Sequence, residues 1–427
     1  MKLNYKRTML VGFAFFLITA FWTSYDSAIN LILTNKFGIK PGLRGFILAL
    51  DNIFAVIMLP IFGAISDRCV KSKYGRRTPF IFIGTIVAAV LFAILGFIDS
   101  LPLFIVALLF CLLAMSFFRS PAVALMPDVT VKPLRSKGNA IINLMGTVAG
   151  VIALVLGMVF STEVPGKTDF GPYMISISVL MLVSLLVFML TVKEKQWSRE
   201  MEEDTKKYGI KEEDEEENQP KRQLSKPELI SLFLILASVA LWYMGYNAVT
   251  SVFADYATNV LNVDQNSTMI IAQAAAAAAF IPAGIIATKI GRRRTVLIGV
   301  AILGVSFLCA TFITAGKSAM ILMYILFATA GIGWATINVN SFPMVVELAK
   351  GGDVGRYTGF YYTASMSAQI LTPILSGVLI EAIDYSILFP YAALFVALSF
   401  VTMYFVKHGD SKAEKVSALE AFGASDD

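Results

Sequence analysis

The sequence predicts an all-α integral membrane protein, with twelve transmembrane helices arranged as two six-helix bundles that repeat one another. Three observations carry that prediction. The 427 residues are 57% hydrophobic and only 15% charged, with a mean hydropathy of +0.72, whereas soluble domains carry about 25% charged residues. Apolar runs of spanning length recur on both sides of one highly charged stretch. Short polar markers in the first set of runs then reappear, in the same order, in the second.

A helix needs about 20 mostly apolar residues to cross a bilayer. The first half offers such runs at 9–33, 44–66, 78–98, 102–126, 139–161 and 171–192. The second offers 228–252, 268–288, 295–314, 318–345, 357–380 and 386–406. Pro60, Pro121, Pro282 and Pro373 fall inside these runs, which membrane helices tolerate. The first run is too long for a cleaved signal and has no small-residue cleavage site after it, so it is read as a span. The predicted organisation is therefore a bundle at 1–193, a charged linker at 194–226, a second bundle at 227–407 and a tail at 408–427.

Lys and Arg in short loops set orientation. One side gathers Lys2, Lys6, Arg7, Arg68, Lys71, Lys73, Arg76, Arg77, Lys132, Arg135, Lys137, Lys289, Arg292, Arg293, Arg294, Lys350, Arg356, Lys407, Lys412 and Lys415. The other has only Lys36, Lys40, Arg44, Lys167 and Lys317. Both termini and the linker are thus expected in the cytoplasm of a multi-pass plasma-membrane protein. The net charge of +5 is this topological bias, not a nucleic-acid surface. The linker, EKQWSREMEEDTKKYGIKEEDEEENQPKRQLSK, is expected to be a solvated, partly helical tether; a regulatory segment is the other reading.

The repeat is visible in three places. GAISDRCVKSKYGRR at 63–77 returns, eroded, as GIIATKIGRRR at 284–294. SPAVALMPD at 120–128 is echoed by FPMVVE at 342–347. Arg135-x-x-Gly138 is echoed by Arg356-x-x-Gly359. Two repeated halves around a midplane site is the plan of alternating-access carriers.

The loop GAISDRCVKSKYGRR resembles the signature loop of the major facilitator superfamily. Its continuation RRTPFIF, with LDNI in the second span and FRSPAVALMPDVTVKPLRSKGNAIINLMG across the fourth and fifth, is similar to the branch of plant sucrose transporters and bacterial sugar carriers (the glycoside-pentoside-hexuronide-like group). The resemblance runs along essentially the whole chain. It implies the major facilitator fold, sugar transport, and a monomeric working unit. It also exposes a departure. Plant members carry an Asp nine residues before the fourth-span Pro and an Arg two after it, where this chain has Leu112 and Val123, with Arg119 two residues before Pro121.

In this superfamily, ionic contacts at the signature loop latch the cytoplasmic side shut. The resemblance places Gly63, Asp67, Arg68, Gly75, Arg76 and Arg77 in that latch, with Asp128 and Arg135, and Glu347 and Arg356, as companion pairs. For Arg68 and Lys71 the alternative is a purely topological role. Asp67 opposes the positive bias and is read as a latch residue that pairs with Arg and faces a helix N-terminus. Thr288 and Lys289 stand where the first copy has Asp67 and Arg68, so the latch is expected to be stronger on the first half.

Charge within the spans, away from their ends, is confined to Asp26, Asp51 and Arg119. A carboxylate there costs about 2.5–3.5 kcal/mol on insertion scales, so each is a functional candidate. Asp51 lies near the midplane, about 9 Å above Arg119 at about 1.5 Å per residue. It is read as the proton acceptor tuned by Arg119, against the alternatives of a permanent ion pair or a carboxylate bonded to backbone. Asp26 is a second coupling candidate or a wet carboxylate at a cavity mouth. The lone His is His408, outside the spans, so any proton relay must use carboxylates.

Polar and aromatic stripes follow helical spacing: Trp22, Asp26 and Asn30; Asn139, Asn143 and Thr147; Trp242, Tyr246 and Thr250, flanked by Tyr243 and Asn247; Tyr361, Ser365 and Gln369. Asn338, Asn340 and Gln273 add amides. Lipid cannot satisfy such stripes, so they must face protein or water. Aromatic faces with amides suit a neutral, hydroxyl-rich ligand. Each residue has a second reading as interhelical glue, and QAAAAAA at 273–279 reads as a packing surface.

The sequence therefore predicts proton-coupled import of a disaccharide or small oligosaccharide, such as sucrose or maltose. The alternatives are sodium-coupled sugar symport and a proton-coupled efflux antiporter for other small molecules. No catalytic motif, phosphate-binding loop or metal-ligand spacing occurs, so no enzyme chemistry, cofactor or metal is expected. Cys69, Cys111 and Cys309 show neither pairing nor metal spacing.

Overall fold

The computed structural model describes residues 3–69, 72–131, 134–164, 167–208, 224–316, 318–348 and 354–410. Among these, eleven stretches are helical, long and apolar enough to cross a membrane, and the further helix Gln265–Ile290 has spanning length. The chain divides into two compact units. The first comprises residues 1–39 and 50–210; the second comprises residues 40–49 and 211–427.

Unit 1 begins with the short α1 (Tyr5–Val11) and α2 (Phe13–Leu31). It continues through α3 (Pro41–Asp67), whose first residues belong to unit 2, α4 (Thr78–Leu95), α5 (Leu101–Val129), α6 (Arg135–Phe160) and α7 (Gly171–Thr191). An antiparallel hairpin, β1 (Thr162–Val164) and β2 (Lys167–Asp169), joins α6 to α7. Unit 2 holds α9 (Lys226–Tyr256), α10 (Gln265–Ile290), α11 (Arg292–Ala310), α12 (Ala319–Glu347), α13 (Val354–Ala382) and α14 (Leu388–Tyr404).

The first and seventh helical stretches run past the ends that hydropathy assigns them. The seventh span, expected to stop at 252, continues to Tyr256 and a π-helical turn, Ala257–Leu261. The first ends the same way, in Ile32–Lys36. Each turn is closed by a left-handed residue, Gly38 (φ 61°) or Asn262 (φ 55°). In each, the next amide reaches back six residues: Ile39 N–H to the Leu33 carbonyl and Val263 N–H to the Ala257 carbonyl, both 2.9 Å. The strings LTNKFGI and ATNVLNV are thus a further copy of the repeat.

Helix packing repeats too. In unit 1, α2 packs on α6 and α7, and α4 packs on α5 and α7. In unit 2, α9 packs on α13 and α14, and α11 packs on α12 and α14. The unit 2 core is built around Trp242, Phe253, Phe307 and Phe389.

The linker's first segment departs from the expected tether. It forms α8 (Glu194–Lys207), whose Glu194 is only 2% exposed. Arg7 of α1 pairs with Glu200 at 3.1 Å and lies 4.7 Å over the Trp197 ring. Hydrophilic composition hid a docked helix because one buried carboxylate and one Trp fix it. Residues 209–223 of the linker lie outside the described residues.

Candidate functional site

Two sets of residues are organised within each unit: ionic clusters at the end of the bundle bearing the Arg-rich loops, and polar and aromatic stripes along the spans.

In unit 1, Arg76 and Arg77 converge on Asp128 at the end of α5. Arg76 Nη2 lies 2.5 Å from Oδ1 and its Nε donates to Oδ2 at 3.0 Å, while Arg77 Nε donates to Oδ2 at 2.7 Å. Arg77 also pairs with Asp67 at 2.5 Å and donates to Ser66 Oγ and the Gly63 carbonyl. Gly63 lets α3 close on α5, because a Cβ there would meet Ser120 Oγ at 2.8 Å. Partial burial disfavours charge on Arg76, but the hydrogen bond and charge of Asp128 outweigh it and raise its pKa. Arg68 is exposed. Arg135 donates to the carbonyls of Thr130 and Pro127.

The sequence reading missed Glu194. Its carboxylate accepts from Arg77 N–H (2.8 Å), Thr78 N–H (2.7 Å) and Thr78 Oγ1 (2.6 Å). It therefore supplies the α4 N-terminus with acceptors for amides that have no helical partner. Gly75, at φ +119°, makes room, since a Cβ there would overlap this carboxylate.

Unit 2 repeats the frame. Arg292 pairs with Glu347 at 3.1 Å. Arg293 N–H donates to Asp410 at 2.8 Å, and Gly291, at φ +93°, faces the same carboxylate, with a built Cβ 2.9 Å from Oδ1. The Arg293 side chain goes instead to the carbonyls of Met403 and Tyr404 and to the Tyr404 ring, 5.8 Å away. The Arg356 side chain, expected opposite Glu347, lies outside the described residues.

Along the spans of unit 1, the structure brings the three intramembrane charges together. Asp51 lies within electrostatic reach of both Arg119 and Asp26. Asp51 is half-buried and Asp26 exposed. Asp51 Oδ1 accepts from the Asn52 amide (2.5 Å) and its Nδ2 (2.7 Å), and among the described residues no cation lies within ion-pair distance of it. Arg119 instead sits 5.3 Å over the Trp22 ring. Tyr25 stands 5.4 Å from Trp22, edge-on, within electrostatic reach of both acids. Its hydroxyl and the Trp22 Nε1 are buried without a partner among the described residues. Asn30 and Asn139 are buried on α2 and α6, and Asn143, 2% exposed, has neither amide atom paired among them.

In unit 2 the stripe sorts by burial. Trp242 is fully buried in the core, so it backs Tyr243, stacked at 3.9 Å, rather than facing an open surface. Tyr243 hydrogen-bonds Tyr361, which bonds Ser341 at 2.9 Å. Asn340 donates to the Thr336 carbonyl (2.9 Å) and Ser365 to the Tyr362 carbonyl (3.2 Å), both within their own helices. Tyr246 is half-buried and stacks on Trp334 (5.6 Å, 20°), with Phe280 set edge-on to that indole at 5.8 Å. Asn247 and Asn338 each have an Nδ2 without a partner among the described residues. Gln273 and Gln369 are half-buried. Trp334 was missed because an indole inside the apolar run 318–345 is silent to hydropathy. Its i, i+4 relation to Asn338 was the available signal.

A family model described as MFS/sugar transport protein matches residues 10–406. The chain belongs to that family. A symporter of Synechocystis, itself uncharacterized, is 30% identical over 181 residues, covering 38% of this chain and 32% of that protein. Sucrose transport protein SUC3 of Arabidopsis thaliana is 26% identical over 142 residues, covering 28% of this chain and 24% of the relative. The matches thus span about a third or less of these relatives' length. Among solved structures, the inward-open xylose transporter XylE of E. coli aligns with a TM-score of 0.65 at 14% identity over 96% of this chain and 98% of its own. A bacterial homologue of the iron transporter ferroportin aligns with a TM-score of 0.67 at 14% identity over 94% of this chain and 99% of its own. These likenesses show the fold. The family member described here is a multi-pass membrane protein.

Proposed function

We propose that this transporter imports a disaccharide or small oligosaccharide by proton symport, with the basic end of the bundle in the cytoplasm and the protein in the cell membrane. Asp51 is the proton acceptor, and Asp26 shares its field. The observation that carries the reading is the arrangement around Asp51: a half-buried intramembrane carboxylate with a second acid within electrostatic reach, and an Arg occupied by an indole rather than by either acid. A carboxylate locked in a tight ion pair would stay charged throughout a cycle, whereas one facing a cation only at longer range can exchange its proton. In unit 2, the Tyr246–Trp334 stack, with Asn247 next to the first ring in sequence and Asn338 one turn from the second, each with an Nδ2 unpartnered among the described residues, suits the C–H faces and oxygens of a neutral sugar.

One observation supports sodium as a second reading. Asp26 and Asp51 share one electrostatic neighbourhood, with Asn52 beside them, and sodium favours several oxygen ligands. Uptake of labelled sucrose and maltose into proteoliposomes separates the two. An inwardly directed pH gradient should drive accumulation without sodium. Uptake driven by a sodium gradient and indifferent to pH would replace the proton reading; efflux of unrelated hydrophobic compounds without sugar uptake would end both.

A further inference from the structure

Helix α3 is continuous from Pro41 to Asp67, yet residues 40–49 cluster with unit 2 and those from Leu50 onward with unit 1. What fastens its first turns to unit 2 is not a greasy contact. Arg44 and Asp255, with side chains 3% and 0% exposed, form an ion pair of 2.7 Å. Arg44 also donates to Tyr385 Oη at 3.0 Å, Tyr385 donates to the same Asp255 oxygen, and Asn259 Nδ2 donates to the other at 2.6 Å. Gly42 N–H and Lys40 reach Glu381 at 3.1 and 3.5 Å. The backbones touch: a Cβ on Gly45 would overlap the Pro373 carbonyl, and one on Gly377 the Pro41 carbonyl.

A permanent anchor here has no need of buried charge, because well-packed apolar residues hold at least as firmly as a buried ion pair. Charge has its advantage when the contact must part. Separated apolar faces stay unfavourable in water, whereas a freed guanidinium and carboxylate are rehydrated. The Gly–Pro contacts set how closely the two surfaces meet without adding side-chain grip. The second half alone supplies the acid, because at the position equivalent to Asp255, four residues before the Asn of the π-turn (Asn259, Asn35), the first half has Leu31.

We propose that Arg44, Asp255 and Tyr385 form a releasable latch at the end of the transporter opposite its basic loops, and that parting it opens the solute pathway on that side. The inference rests on membership of the transporter family, not on which sugar or ion is carried.

The test is accessibility. Ala49 is fully buried beyond the latch. An Ala49→Cys variant is made with Cys69, Cys111 and Cys309 changed to Ala, and a membrane-impermeant maleimide is applied from the latch side. Asp255→Asn and Arg44→Gln should each speed labelling by about tenfold, with Tyr385→Phe showing a smaller gain. The exchanged pair, Arg44→Asp with Asp255→Arg, should return labelling toward the parent rate. Unchanged labelling in variants that melt like the parent overturns the proposal. So does labelling that rises only in step with a lowered Tm, since the network would then be a structural anchor. Tyr385→Phe, which keeps both charges, provides the comparison even where a charge variant fails to fold.

Discussion

The two copies of the Arg-rich loop share a frame and differ in what fills it. In both, a positive-φ glycine (Gly75, Gly291) clears space for an acid that returns from beyond the sixth helix of the unit (Glu194, Asp410) and meets the N-terminus of the third. In both, the first Arg after that glycine pairs with an acid at the end of the fourth (Asp128, Glu347). The second Arg marks the difference. Arg77 has Asp67, Asp128 and Ser66, whereas Arg293 has two helix-end carbonyls and a ring. Unit 1 therefore has a charge cluster with a replaceable carboxylate, and unit 2 a tie to its own last helix. A cluster that must open in a transport cycle is better built from the first.

The widest gap should appear when the shared acid is neutralised. Asp128→Asn removes the charge that two guanidiniums share, leaving Arg76 without this carboxylate and Arg77, 5% exposed, with Asp67 alone among the ion pairs described above, and should lower stability by about 2–3 kcal/mol, because removing one partner of a largely buried pair is far worse than never having it. Glu347→Gln, which faces the single guanidinium of Arg292 among the bonds described above, should lose about 1 kcal/mol. Thermal melting of the purified variants ranks them, and equal losses would erase the asymmetry. Next come the glycines. Gly75→Ala and Gly291→Ala should each lose about 1–2 kcal/mol from the left-handed backbone. Gly75→Ala should lose more, since its methyl also displaces the Glu194 carboxylate; a neutral Gly75→Ala would remove that carboxylate from the frame. The smallest contrast is in the caps. Glu194→Gln should lose about 1–2 kcal/mol and Asp410→Asn about 0.5 kcal/mol, in proportion to three accepted bonds against one. The reverse order would mean that the tail, not α8, holds its loop more firmly.

What could be read from sequence followed from what hydropathy and spacing measure. Span positions, the duplication at GRR and the three intramembrane charges were legible because each is a local departure from an oily background. The π-turn copies are hidden in the sequence, because LTNKFGI and ATNVLNV straddle or follow the predicted span ends. Glu194 sat in a run of charge and Asp410 in a tail, where composition gives a buried carboxylate the same appearance as a solvated one. Asp255 lies three residues beyond the predicted end of its span and Arg44 at the very start of another, where a charge has the appearance of a loop charge. Trp242 reads from its stripe either as a ligand contact or as interhelical glue, because a seventh-span indole serves core and cavity at the same spacing, and burial places it in the core. Partnerships that depend on a chain returning from far away were beyond any pattern in the letters.

The central claim is that solute movement is tied to a proton on Asp51, and gradient-driven accumulation set beside sugar exchange tests it most directly. In proteoliposomes, Asp51→Asn should abolish accumulation driven by a pH gradient while leaving exchange of labelled for unlabelled sugar near the parent rate. Accumulation that survives Asp51→Asn, or that fails only in Asp26→Asn, contradicts the account.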